Sequence, residues 1–209
     1  MSTARKLVAD SAKLWPRVIG HPFLHAVADV SLDRNAFERW LVAEYAFNVE
    51  LRRFIAGLVT IAPTGWDADV IASGLGPNKS DIDLVRAAAV RQGLDLEAEP
   101  GPSTIGFAGY LQSLPQRGYE VALAGLYATQ KVYHEGWVSI RGRTTWTSPY
   151  WPLVDTWSSA DLAARIGELC QLVDAAAPEG PTSPMCLAFD RVVRFGLQFW
   201  TAVYVGETW

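Results

Sequence analysis

A few polar groups able to bind a ligand or move a proton interrupt otherwise apolar helical seams. From Phe37 a seam spaced by four and three runs through Leu41, Glu44, Asn48, Leu51, Ile55, Leu58 and Ala62. That spacing turns one face of a long helix toward a bundle interior. Glu44 and Asn48 are its polar members, one turn apart. A carboxylate and a carboxamide on a buried face are costly unless each finds a partner. They belong either to a structural hydrogen-bond network or to the wall of a wet pocket, and Tyr45 and Phe47 beside them offer aromatic walls. A second seam runs Ala122, Leu126, Thr129, Tyr133, Trp137 and Ile140, with hydroxyls at Thr129 and Tyr133 and with Gln130 alongside. Glu135 lies one turn beyond Lys131 and reads either as half of a solvated pair or as an acid of the same site.

The last seam, Phe189, Val192, Gly196, Phe199 and Val203, has a glycine at its middle. Glycine inside a helix costs about 1 kcal/mol relative to alanine. Either close helix approach or space for a ligand would offset it. The three histidines read as a helix-entry residue (His21, before Pro22-Phe23), a half-exposed one (His25) and a rim group (His134). A di-iron bundle needs carboxylates and histidines in Glu-x-x-His pairs, and the chain has none, so neither a metal nor a cofactor is expected. Heme ligation by His21 or His25 has no better support. Cys170 and Cys186 match no metal spacing, neither has a histidine nearby in sequence, and no serine nucleophile elbow occurs.

These seams require helices to carry them. Apolar residues recur at helical spacing nearly throughout, and no run alternates as a half-buried strand would. The fold class is therefore all-α. Candidate helices span 3–18 (broken or kinked at Pro16), 22–29, 34–62, 66–75, 80–92, 103–114, 118–140, 151–157, 160–177 and 184–205. Several starts carry capping signals: Ser31 and Asp33, Ser80 with Asp83, Ser158 with Asp161, and Ser183 before Pro184. The proline- and glycine-containing stretches 94–102 and 175–183 are too short to separate domains, so 1–209 reads as one helical domain.

Composition narrows the function. Half of the 209 residues are apolar, 19% are charged, and the net charge is −4 with no basic block. That leaves no electrostatic footprint for nucleic acid or an anionic membrane. Asp10 and Lys13 interrupt what would be a signal core, and the uncharged run 195–206 falls far short of the ~20 residues of a membrane span. Two cysteines are too few for a disulfide framework, so a cytoplasmic location is expected. Trp 9, Phe 8 and Tyr 7 are concentrated around 37–54, 127–157 and 195–209, good material for a core and also for the walls of a flat small-molecule site.

The segment HPFLHAVADVSLDRNAFERWLVAEYAF (21–47) resembles the opening of the TenA/THI-4 family. YATQKVYHEGW (127–137) resembles its central active-site helix, YWPLVDTWSSADL (150–162) its next block and FGLQFW (195–200) its C-terminal helix. The resemblance spans about residues 4–205 and implies the heme-oxygenase-like helical bundle. It also implies hydrolysis of thiamin or its aminopyrimidine breakdown products, in a pocket where aromatic rings sandwich the pyrimidine and carboxylates hold its nitrogens. By that resemblance Glu44 takes the place of the pyrimidine-binding aspartate, Phe47 and Trp157 are aromatic walls, Tyr133 is the tyrosine of the central helix, and Glu135 matches an acidic position. Asn48, Thr129, Gln130, Gly196 and Phe199 complete the substrate-binding set, with Glu44, Glu135 and Tyr133 as catalytic candidates. Family members usually form symmetric oligomers, so a dimer or tetramer is expected, with Trp200, Tyr204 and Trp209 available to an interface.

The departures from the family pattern fall on its chemistry. One branch places a nucleophilic cysteine where this chain has Thr129, another a glutamate where it has Gln130, and both carry a C-terminal glutamate where it has Gly196. A carboxamide keeps the hydrogen bonds of a carboxylate but not its basicity. The expectation is a divergent hydrolase with an altered acid/base set in which Glu44 is the base. The alternatives are an enzyme of the same fold with a non-thiamin substrate in specialised metabolism, or a non-catalytic ligand-binding homologue. The transcription-regulator label in the family's older name has no helix-turn-helix signature behind it here.

Overall fold

A computed structural model describes residues 1–208; Trp209, one of the residues offered to an interface, lies outside the described residues. The regular structure among them is helical, with no strand: α1 (Thr3–Asp10), α2 (Trp15–Ile19), α3 (Pro22–Ala28), α4 (Arg34–Thr60), α5 (Gly65–Ala72), α6 (Leu75–Gln92), α7 (Pro102–Ser113), α8 (Tyr119–Arg141), α9 (Trp151–Trp157), α10 (Ala160–Ala176) and α11 (Ser183–Val205), with a 3-10 turn at Pro115–Arg117. None of these helices is long and apolar enough to cross a membrane.

Local chemistry sets most of the boundaries. Asp33 accepts from the backbone N–H groups of Asn35 and Ala36 and starts α4, while Gly93, in the left-handed region at φ 71°, ends α6. His21 starts α3 by accepting from the Phe23 N–H through Nδ1 at 3.1 Å. The expected 3–18 helix is interrupted at residues 11–14 instead of at Pro16. Pro16 sits in the first turn of α2, where its missing N–H leaves no bond unmade. Helix α6 begins at Leu75, five residues before the expected start. Ser80 is interior there, its hydroxyl donating to Gly76 O, and Asp83 pairs with Lys79 and Arg86, so the capping box expected at Ser80 does not form. The caps of α10 and α11 are Ser159 and Thr182, each one residue from the expected position. Ser158 closes α9 by donating to Val154 O.

Helices α4 and α8 organise the packing. Helix α8 is surrounded by α2, α3, α9, α10 and α11, and α4 by α5, α6, α7 and α11. From Val121 to Thr129 every residue of α8 is buried. Its small residues allow that enclosure: a Cβ at Gly125 would collide with the Leu114 side chain. An aromatic cluster fills the region between α4, α8, α9 and α11. Trp40, fully buried, has its ring 6.0 Å from Trp137, 5.7 Å from Trp157 and 6.0 Å from Phe23. Trp200 joins the cluster, 4.9 Å from Phe23, and Tyr204 lies edge-on to His21. Of the two places open to Trp200, an interface or its own bundle, it takes the second, its indole covering apolar rings of its own chain.

Two long-range contacts tie the C-terminus down. Arg39 donates to Val203 O and Tyr204 O, satisfying carbonyls at the end of α11. The Glu207 carboxylate accepts from Ser103 N and Oγ at the start of α7.

Buried His21 gives the fold an acid-sensitive joint. Burial, reinforced by the nearby His25, lowers its pKa to about 4. The unfolded chain takes up a proton near pH 6.5, whereas the native chain holds out to about 4, so acidification through that window favours unfolding. Followed by chemical denaturation from pH 7 to 4, the stability of His21→Asn, which keeps a capping acceptor, should rise relative to wild type.

Candidate active site

Helices α4, α5, α6, α8, α9 and α10 enclose a small, partly open cavity. Glu44 lines it from α4 and is only 2% exposed. The Asn48 carboxamide, one turn on, donates to Glu44 Oε1 at 2.7 Å and to Glu44 O at 3.0 Å. Asn78 from α6 donates in turn to Asn48 Oδ1 at 3.1 Å. The chain of donors ends there: Glu44 Oε2, Asn78 Oδ1 and the Tyr133 hydroxyl are buried with no closed hydrogen bond inside the protein. Such atoms lose their desolvation energy unless something else satisfies them. Together they form a patch that matches a ligand with both donors and acceptors.

Burial raises the Glu44 pKa to about 7; Tyr133 and Asn48 oppose the shift and the charge of Asp81 adds to it. Burial and the Glu44 carboxylate push the Tyr133 phenol well above its usual range. Glu44 is therefore the group of this pair that can exchange a proton near neutrality, and Tyr133 acts as a hydrogen-bonding hydroxyl.

Packing fixes the positions of these groups. Tyr133 stacks on Trp200 at 5.6 Å and meets Trp157 edge-on at 5.6 Å. Trp157, 2% exposed, forms part of the cavity wall, and its carbonyl is bonded by His134 Nδ1 at 2.9 Å. Phe47 packs on Phe107 at 4.6 Å and on Phe199 at 5.9 Å. Thr129 lines the cavity, yet its hydroxyl donates to Gly125 O at 2.9 Å. Gln130 faces the same space.

Behind Glu44, Phe47, Thr129 and Tyr133 lies a small apolar void, with room for about one water molecule, also bounded by Gly196 and Phe199. A Cβ at Gly196 would meet Val132 and Val18 methyl groups at 3.8 Å, ordinary contact. Close helix approach therefore does not explain this glycine; what it leaves is space beside Glu44.

Nine of the ten expected residues thus border one of two adjoining spaces. Glu135 does not. Its carboxylate is held by Lys131 at 2.6 Å and by the Trp15 indole N–H at 2.5 Å, on the side of α8 that faces α2. Two residues separate it from Tyr133, which rotates it about 200° around the helix. Conversely, the structure adds Asn78, Asp81 and Arg165 to the cavity wall. Burial pushes the Asp81 carboxyl up to about 6, against the Trp157 indole and the Arg165 charge. The signal for the α6 pair was the run Asn78, Asp81, Ile82 and Val85, a single helical face that is visible only once the helix starts at Leu75. Among the described residues no cluster of His, Cys, Asp or Glu is arranged to hold a metal.

An all-helical bundle closed around a carboxylate-bearing aromatic cavity is the class of structure this defines. The chain matches the TENA/THI-4/PQQC family over residues 9–206 and belongs to it. It is 25% identical, over its whole length and 98% of the relative, to an aminopyrimidine aminohydrolase of Halalkalibacterium halodurans. It is 26% identical to a probable bifunctional TENA-E protein of Glycine max, over 55% of this chain and 53% of that one. Among solved structures, a TenA homologue from Pyrococcus furiosus superposes with a TM-score of 0.91 at 24% identity, covering 97% of this chain and all of the other. A heme oxygenase-like domain from Shewanella denitrificans superposes at 0.73 and 15% identity, covering 96% and 91%.

Two outcomes follow from the burial of Glu44 and from the ordinary contacts that a Cβ at Gly196 would make. The unfolded chain loses the Glu44 proton near pH 4.5, the native chain only near 7, so stability falls as pH rises through that window. Glu44→Gln should therefore melt higher than wild type, with a margin that grows from pH 5 to 8 toward on the order of 2–3 kcal/mol. Gly196→Ala should be tolerated or stabilising by up to about 1 kcal/mol; a clear loss in chemical denaturation would mean the helices do need the glycine.

Proposed function

We propose that this chain is a TenA-type hydrolase for an aminopyrimidine or thiamin-related compound, working with an acid/base set different from that of its family. One observation carries the reading: the buried Glu44 carboxyl beside the unpartnered Tyr133 hydroxyl and Asn78 Oδ1, facing a cavity walled by Phe47 and Trp157. An aminopyrimidine offers adjacent amino donors and a ring-nitrogen acceptor on a flat apolar ring. A carboxyl whose pKa is near 7 complements that edge in two ways. Protonated, it donates to the ring nitrogen while accepting from the amino group; ionised, it binds the protonated ring. Asn78 Oδ1 and Tyr133 satisfy further ring substituents, and the aromatic walls exclude water from the pyrimidine faces.

The name of the Halalkalibacterium halodurans relative, aminopyrimidine aminohydrolase, supports this substrate class and C–N hydrolysis. Binding in the cavity orients the exocyclic carbon for water and withdraws electron density from the ring through Glu44. Loss of general acid/base groups costs ~10²–10⁴-fold each, so Thr129, Gln130 and Gly196 in the family's catalytic positions imply slow turnover unless another group has taken over. Those three residues also favour a second reading, a homologue that binds the pyrimidine without consuming it. Glycine at 196, where the family carries a glutamate, favours a third, a bulkier substrate outside thiamin metabolism.

Incubation with thiamin, formylaminopyrimidine and aminomethylpyrimidine, followed by mass spectrometry, decides between them. Hydroxymethylpyrimidine should be released by wild type and not by Glu44→Ala. Thermal stabilisation by these compounds without release supports the binding protein, since a ligand of the native state raises stability whether or not chemistry follows. The absence of both release and stabilisation would sink the pyrimidine reading.

A further inference from the structure

Hydrolysis of an aminomethyl C–N bond needs a group that gives a proton to the departing nitrogen and takes one from water. Among the residues that line the larger cavity there is no histidine, cysteine or lysine, and the titratable groups other than Arg165 are Glu44, Asp81 and Tyr133. Tyr133 is held too far above neutrality, and Glu44 is occupied with the Asn48 and Asn78 relay and, in the reading above, with the pyrimidine edge. That leaves one carboxylate on a different helix of the same cavity. We infer that Asp81 is the proton-transfer group for the leaving nitrogen, acting from α6 in the same cavity as Glu44. This rests on the proposed aminopyrimidine hydrolysis and adds to it the residue that replaces the family's absent acids.

The surroundings of Asp81 suit the task. Glu44 from α4, Tyr133 from α8, the Trp157 indole from α9 and Arg165 from α10 share the cavity with it. Along α6, Lys79, Asp83 and Arg86 pair with one another at the surface. Burial favours its protonated form, while Trp157 and Arg165 favour its ionised form. Neither form is excluded near neutrality, as a group that must alternate between them requires. In the step, protonated Asp81 gives its proton to the amine, the methylene C–N bond breaks and ammonia departs. The oxygen of water bonds to that carbon, and the proton it loses returns to Asp81. Amine and water are consumed, alcohol and ammonia form, and the carboxyl ends as it began.

Leaving-group chemistry separates this role from a structural one. Ammonia needs a proton to depart, whereas the thiazolium of thiamin departs as a neutral ring and needs none. With hydroxymethylpyrimidine quantified, Asp81→Asn should lower kcat for aminomethylpyrimidine by ~10²-fold or more with KM little changed, and the fall for thiamin should be at least about tenfold smaller. Asp81→Glu, which keeps the carboxyl, should recover part of the rate, and melting curves check that both variants fold. Wild-type rates in Asp81→Asn would overturn the assignment and leave the hydrolase reading standing. Equal falls on both substrates, or a change in KM alone, would overturn it too, making Asp81 a positioning residue. Wild type inert toward both compounds would remove the hydrolase reading and this assignment with it.

Discussion

Placing a carboxyl inside an aromatic core is the constraint on which the remaining arrangement depends. Glu44 is 2% exposed and surrounded by rings, an environment in which an isolated charge is costly. The protein meets the cost in two ways. Asn48, itself held by a hydrogen bond from Asn78, donates to one carboxyl oxygen, and the proton is retained to near neutrality. The other oxygen is buried without a well-formed hydrogen bond. A network closed on itself would have satisfied it; a network that ends in three open polar atoms is built to be completed by something from outside.

The aromatic cluster serves both stability and geometry. Trp40, Trp137, Trp157, Trp200 and Tyr133 contact one another edge-on or stacked, so rotating any one ring displaces its neighbours. The Tyr133 hydroxyl and the Trp157 wall therefore keep their places without hydrogen bonds of their own side chains to the backbone. His134 holds the end of α9 through the Trp157 carbonyl, which places a residue next to Tyr133 in sequence in a supporting role. The space beside Gly196 is the exception to this dense packing, and it borders the carboxyl on which the site turns.

Much of the architecture was legible in the chain. The seams from Phe37 to Ala62 and from Ala122 to Ile140 have only one periodicity, and both became long helices with the expected inner faces. Helix starts were legible where a capping side chain stands immediately before the periodic run, as at Asp33. They were misplaced at α6, where Gly74 and Leu75 carry no capping side chain and a serine five residues past Leu75 imitates one. That displacement hid Asp81, since a carboxylate assigned to a first turn reads as a solvated dipole partner. Glu135 was misjudged for a related reason. A position two residues from Tyr133 is near it in sequence but turned away from it by the helix.

The sequence by itself determined the helical class, the inner faces of the long helices, the buried Glu44–Asn48 pair and the likeness to a family, because periodicity and short motifs are local properties of a chain. Which polar atoms end unpartnered, that Asp81 and Arg165 from α6 and α10 meet the space in front of Glu44, and that Gly196 leaves room where no packing demands it, only the tertiary structure decided. Those facts depend on distances between helices far apart in sequence, and side-chain spacing within one helix carries no record of them.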